Sequence, residues 1–120
     1  MSFLLPDQKI VCAKYGAPCI PCDQNLKVGI SRDFDGENFP INGLRHPVVA
    51  DTTGWYLWSG EQFSEDPDFF DPLHTFHLND LCPKIVKYLG LAPGWRFLFS
   101  PAQEDVWFDE KLLLNNFGRK

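Results

Sequence analysis

Four cysteines and three histidines are the side chains of this 120-residue chain best suited to metal or covalent chemistry. Cys19-Ile-Pro-Cys22 is a C-x2-C pair, with Cys12 upstream and Cys82 far downstream. Such a pair is half of a structural zinc site, and His74-x2-His77 has the donor types for the other half. Two features oppose that reading. H-x2-H is tighter than the spacing of about three to five residues common in such sites. Cys12 and Cys82 also fall within elements where a free cysteine packs as a small apolar residue. A redox role for Cys19 and Cys22 requires the pair to open a helix whose positive end lowers the thiol pKa. Pro18, Pro21 and Asp23 lead instead into an extended stretch.

Other catalytic patterns are missing. Ser59-Gly60 lacks the G-x-S-x-G elbow, and no glycine-rich loop cradles a phosphate. Asp66, Asp68 and Asp71 have carboxylates at alternating spacing, but Pro67 intrudes, and the glycine turn and terminal glutamate of a calcium loop are absent. No catalytic residue, metal or cofactor is therefore expected, and the chain reads as a binding protein rather than an enzyme. Two alternatives remain: a small metal-dependent enzyme built on His74, His77 and nearby acids, and a structural zinc-binding domain held by Cys19 and Cys22.

The charge distribution says more than the total. Residues 1–45 are neutral, residues 46–83 carry seven acids and no Lys or Arg, and residues 84–120 carry a net +2, which together give the net charge of -5. The acidic block also contains Trp55, Tyr56, Trp58, Phe63, Phe69, Phe70 and Phe76. One reading is a solvated acidic loop over an aromatic core. The other is a docking surface for a basic partner, in which acids steer the encounter and aromatics anchor it. Trp58, beside the acidic run, is the expected exposed anchor, with Glu61, Glu65, Asp66, Asp68 and Asp71 as the charged contacts.

Composition removes several classes. Aromatics at 15% and apolar residues at 44% argue against disorder. The acidic balance argues against nucleic-acid binding, and no apolar run approaches the roughly 20 residues of a membrane span. MSFLLPDQKI lacks a basic n-region, so no export signal is expected and the location expected is cytoplasmic.

The elements that must position these residues follow from periodicity. Lys9–Lys14 and Leu26–Ile30 read as strands, and residues 31–53 as a long irregular connection punctuated by Asp35-Gly36, Pro40, Asn42-Gly43 and Pro47. Trp55–Ser59 is a strand with apolar residues on both faces, expected to be central or covered on both sides. The SEDPDFFDP run reads as irregular. Leu81, Ile85, Tyr88 and Leu89 form one helical stripe, capped by Asn79 or Asp80, with Pro83 in the first turn and Gly90 at the stop. Trp95–Phe99 and Asp105–Asp109 are strands joined by a hairpin-like loop, and Asp109 caps a last short helix. The expected fold is α+β in a single domain, 1–120: a mainly antiparallel twisted sheet with one principal helix on a face, near Leu81–Leu89.

Several runs carry a resemblance. Thr53-Gly-Trp-Tyr-Leu-Trp-Ser-Gly-Glu61, Asp66-Pro-Asp-Phe-Phe70 and Pro72-Leu-His74 are followed by Cys82-Pro, Tyr88-Leu-Gly-Leu91, Pro93-Gly-Trp-Arg-Phe97 and Asp105-Val-Trp-Phe-Asp109. Over roughly residues 42–113 the chain resembles small bacterial proteins of the polymorphic-toxin immunity class, in the tryptophan-rich α+β family numbered thirty-three. The resemblance implies an immunity protein that binds and neutralises a cognate toxin, and it brings no catalytic residues with it. Toxins that attack nucleic acids carry basic clefts, which an acidic inhibitor surface complements.

Overall fold

The computed structural model describes residues 2–3, 6–20, 22–23, 25–31, 34, 38–48, 50–60 and 70–114. In chain order these form β1 (Ser2–Phe3), α1 (Pro6–Tyr15), β2 (Cys22–Asp23), β3 (Lys27–Ser31), β4 (Ile41–Arg45), β5 (Thr52–Ser59) and β6 (Phe70–His74). A 3-10 turn (Thr75–His77), α2 (Leu78–Leu81), a 3-10 helix (Pro83–Tyr88), β7 (Trp95–Ser100), β8 (Gln103–Phe108) and α3 (Lys111–Leu114) complete the order. The fold is α+β, as the sequence predicts.

Six strands make one sheet in the order β6-β3-β5-β4-β7-β8, and β1 pairs with β2 in a separate ribbon. Only β3 and β5 run parallel; the other pairs in the large sheet are antiparallel. Strand β5 lies inside the sheet and is covered on both faces, as its two apolar faces require. On one face Trp55 and Leu57 join Val28, Ile41 and Phe97 beneath α1 and the Pro83–Tyr88 helix. On the other, Trp58 packs with Leu44 and Leu112, with Tyr56 and Phe70 at the margin.

Three local expectations are corrected. Lys9–Lys14 is not a strand but the body of α1. Its buried residues Gln8, Val11 and Cys12 lie at helical spacing, followed by Tyr15, which packs on the core. Pro6 starts the helix, and Gly16 (φ 71) ends it, with Gly16 N–H donating to Ala13 O and Ala17 N–H to Cys12 O. That pair of bonds is the Schellman ending, which places a glycine just past the last turn.

The second correction concerns the principal helix, which is α1. The predicted helix over Leu81–Leu89 is broken: Cys82 takes φ -154, ψ 76, between α2 and the 3-10 helix. The physical cause is Pro83, because a residue before proline is pushed out of the α region. Ile85, Tyr88 and Leu89 still face the core, while Leu81 faces out. Lastly, the connection over 31–53 contains β4. Asn42-Gly43 is not a turn; Gly43 sits mid-strand because a Cβ there would lie 2.2 Å from the Phe97 ring, which packs flat over its backbone.

Candidate partner-binding surface

The expected contact residues are divided by the fold. Trp58 is 4% exposed. Its position on an interior strand turns the indole toward Leu44 and Leu112, and its ring lies 6.4 Å from that of Phe70. The expectation of an exposed anchor at Trp58 is therefore corrected: α3, which follows much later in the chain, supplies the Leu112 that covers this face. Glu61, Glu65, Asp66 and Asp68 lie outside the described residues. Asp71 is exposed on β6, an edge strand of the large sheet, opposite Ile30.

From β6 the chain turns a corner that presents a second group of side chains. Thr75 is buried and anchors the turn twice on one acceptor: its backbone N–H (3.0 Å) and its hydroxyl (2.8 Å) both donate to Leu26 O. Thr75, Leu78 and Cys82 face inward at spacings of three and four, so Phe76, His77, Asp80 and Leu81 face out. The rings of His74 and Phe76 stack at 5.6 Å and 24°, and those of Phe76 and His77 lie 4.3 Å apart. Phe76 is 41% exposed and Leu81 42%. The alternation Thr75, Leu78, Cys82 was the signal in the sequence that could have found this outward face; the helix expected to start at Asp80 obscured it.

Charge around the corner is acidic but partly compensated. Asp51 pairs with Lys27 at 3.1 Å, and that hydrogen bond and charge, with His74 adding a smaller effect, hold its carboxyl below the ordinary range. Lys84 carries its ammonium over the Phe39 ring at 5.4 Å. Among the described residues, Asp80 has no ion-pair partner.

The cysteines and histidines do not assemble into a metal centre. Among the described residues, no three His, Cys, Asp or Glu side chains are grouped to hold an ion. None of the four cysteines is in a disulfide. Burial pushes the Cys12 thiol up to about 12 and raises that of Cys22, whose Sγ donates to Leu89 O. Thiols so shifted are poor nucleophiles near neutrality, opposite to what a C-x2-C redox centre requires. His74 and His77 stand 6.4 Å apart by ring centroid, with the Phe76 ring stacked on His74 and tilted against His77.

Two further polar clusters were not anticipated from the sequence. Arg45 is 1% exposed and, among the described residues, meets no carboxylate; its Nε donates to Thr53 O (2.9 Å) and its Nη1 to Ile20 O and Leu91 O (2.8 Å each). Burial lowers its pKa, opposed by the nearby Cys22 and Cys12 thiols. Glu104 accepts from the hydroxyls of Tyr15 (2.5 Å) and Tyr88 (2.6 Å) and from Lys14 (3.1 Å). Both clusters saturate their partners inside the protein, so they tie elements together rather than offer a reactive group.

The described residues contain no helix long and apolar enough to cross a membrane. Residues 7–109 match the family model described as the Imm33-like domain, and the chain belongs to that immunity-protein family. The match begins well before the predicted start near residue 42 and takes in α1 and the cysteine-bearing segment. No curated protein and no solved structure matches the chain.

Proposed function

We propose that this member of the Imm33-like family neutralises a cognate toxin by binding it, with an acidic, aromatic surface facing a basic one. The observation that carries the proposal is the block 46–83, which holds seven acids and no Lys or Arg. A like-charged block destabilises the compact state through self-repulsion, so its retention favours an external partner of opposite sign. Membership of the Imm33-like family supports a toxin as that partner. Glu61, Glu65, Asp66, Asp68 and Asp71 supply the steering charge, and the role is binding, with no chemical step.

Trp58 contributes from within the sheet, where it holds one face rigid, in line with its burial. Rigid interfaces lose less ordering entropy when they bind. The test is charge reversal of Glu65, Asp66 and Asp68 to Lys, with association followed by stopped flow against the toxin domain that co-purifies with the wild-type chain. Association should slow by at least about tenfold at low salt and lose most of its salt dependence. Unchanged association and unchanged salt dependence would remove this segment from the interface.

A further inference from the structure

We propose that the ring platform of His74, Phe76 and His77, with Asp80 beside it, receives an arginine side chain of a basic protein partner. The inference rests on the toxin-binding reading and adds to it a place in the fold and a recognised chemical group.

Folding does not account for the platform. The corner is held by Thr75 and Leu78, both fully buried, and by the two hydrogen bonds from Thr75 to Leu26 O. Phe76 and Leu81 gain little from that burial, yet both are exposed. A phenylalanine in water, stacked against His74 and tilted against His77, is a preformed π surface. Its geometry is set before any partner arrives, which lowers the ordering cost of binding.

The charge pattern selects the occupant. Lys27 is held by Asp51 and Lys84 lies over Phe39, so neither neutralises Asp80. Asp80 follows His77 by three residues and Phe76 by four, the spacing of neighbours on one helical face, so a cation stacked on the rings has a carboxylate within one turn. Guanidinium suits both parts of such a site, being planar, weakly hydrated and able to stack on a ring while its edge donates to a carboxylate. An ammonium is more strongly hydrated and cannot stack. Leu81, beside the rings, gives the apolar stem of the arginine a surface to cover.

Tetra-arginine amide and tetra-lysine amide are the probes, titrated into the full chain at low salt while the aromatic and imidazole resonances are followed by NMR. The arginine peptide should shift the rings of His74, Phe76 and His77 and bind at least about threefold more tightly than the lysine peptide, the factor expected of one exposed cation–π contact. Phe76→Ala and Asp80→Asn should each remove most of that preference, whereas Phe76→Trp should keep it. Equal binding of the two peptides, or a preference that survives Phe76→Ala, overturns the site. With the co-purified toxin domain as partner, Phe76→Ala should weaken binding at least about tenfold, on the order of an interface hot spot. Toxin binding indifferent to Phe76→Ala and Asp80→Asn refutes the docking role while leaving neutralisation intact. If no toxin domain co-purifies with the wild-type chain, the functional proposal falls, and the peptide titration alone decides whether the arginine site exists.

Discussion

Arg45 donates a 2.8 Å hydrogen bond from Nη1 to the main-chain carbonyl of Leu91, deep in the protein. The same nitrogen reaches Ile20 O, and Nε reaches Thr53 O. One side chain thus joins β4, the segment before β2, the start of β5 and the turn before β7. Its guanidinium also lies 5.8 Å from the Trp55 ring. A buried cation is tolerated here because its donors meet several carbonyl dipoles and an aromatic face.

Replacing Arg45 should therefore be costly. Arg45→Met leaves the buried Thr53 and Leu91 carbonyls and the part-buried Ile20 carbonyl without this donor, at about 1 kcal/mol or more for each buried group. The urea midpoint should fall by the equivalent of about 3 kcal/mol at unchanged m-value. Arg45→Lys should restore little, because an ammonium lacks the fork that spans Thr53, Ile20 and Leu91.

Glu104 predicts an acid-sensitive tether. Hydrogen bonds from Tyr15 and then Tyr88, with Lys14 adding to them, hold its pKa down to about 2 from an ordinary 4.5. A carboxyl depressed in the folded state contributes stability that is present above the unfolded value and lost as pH falls through the folded one. Stability should drop between about pH 4.5 and pH 2, by about 1–2 kcal/mol after allowing for partial exposure of the carboxylate. Glu104→Gln should remove that component of the pH dependence, as read from urea titrations at several pH values. The amide exchange of α1, which the Tyr15 and Lys14 bonds fasten to β8, should rise with it.

The tryptophans should separate by quenching. Trp55 and Trp58 are buried, whereas Trp107 is 39% exposed on edge strand β8 beneath the Arg96 guanidinium. Acrylamide should quench a fraction of the emission that Trp107→Phe removes and Trp58→Phe leaves in place. Trp58→Ala should cost about 3–5 kcal/mol, the range for deleting a buried aromatic.

Gly43 should not accept a side chain. The added Cβ of Gly43→Ala would meet Phe97 at 2.2 Å and a Leu57 methyl at 2.9 Å, all inside the sheet. Overpacking of that kind costs about 1–3 kcal/mol, and thermal unfolding should occur several degrees lower. Pairing the change with Phe97→Leu should recover part of the loss, because the ring is the obstacle.

Much of this fold is legible in the chain. Lys27–Ser31, Thr52–Ser59, Trp95–Ser100 and Gln103–Phe108 are strands where β-favouring runs predict them. Asp109 caps the last helix as expected, accepting the Lys111 N–H at its Oδ1 (3.1 Å). The errors fall where local signals are ambiguous. The segment 9–14 is short enough to fit either period, and only its contact with the Pro83–Tyr88 helix, sealed by Gln8 Nε2 on Val86 O at 2.9 Å, selects α. Asn42-Gly43 carries a turn signature that the Phe97 ring overrides.

The candidate site was legible as a charge block but not as a surface. Sequence by itself determined that residues 46–83 concentrate acids and aromatics and that β5 has two apolar faces, because composition and alternation are properties of consecutive residues. Which aromatics reach solvent was decided by the tertiary structure. Trp58 is buried because Leu112 returns to cover it, and Phe76 is exposed because Thr75 and Leu78 take the inward positions. Exposure depends on what packs against a side chain, and those neighbours lie far away along the chain.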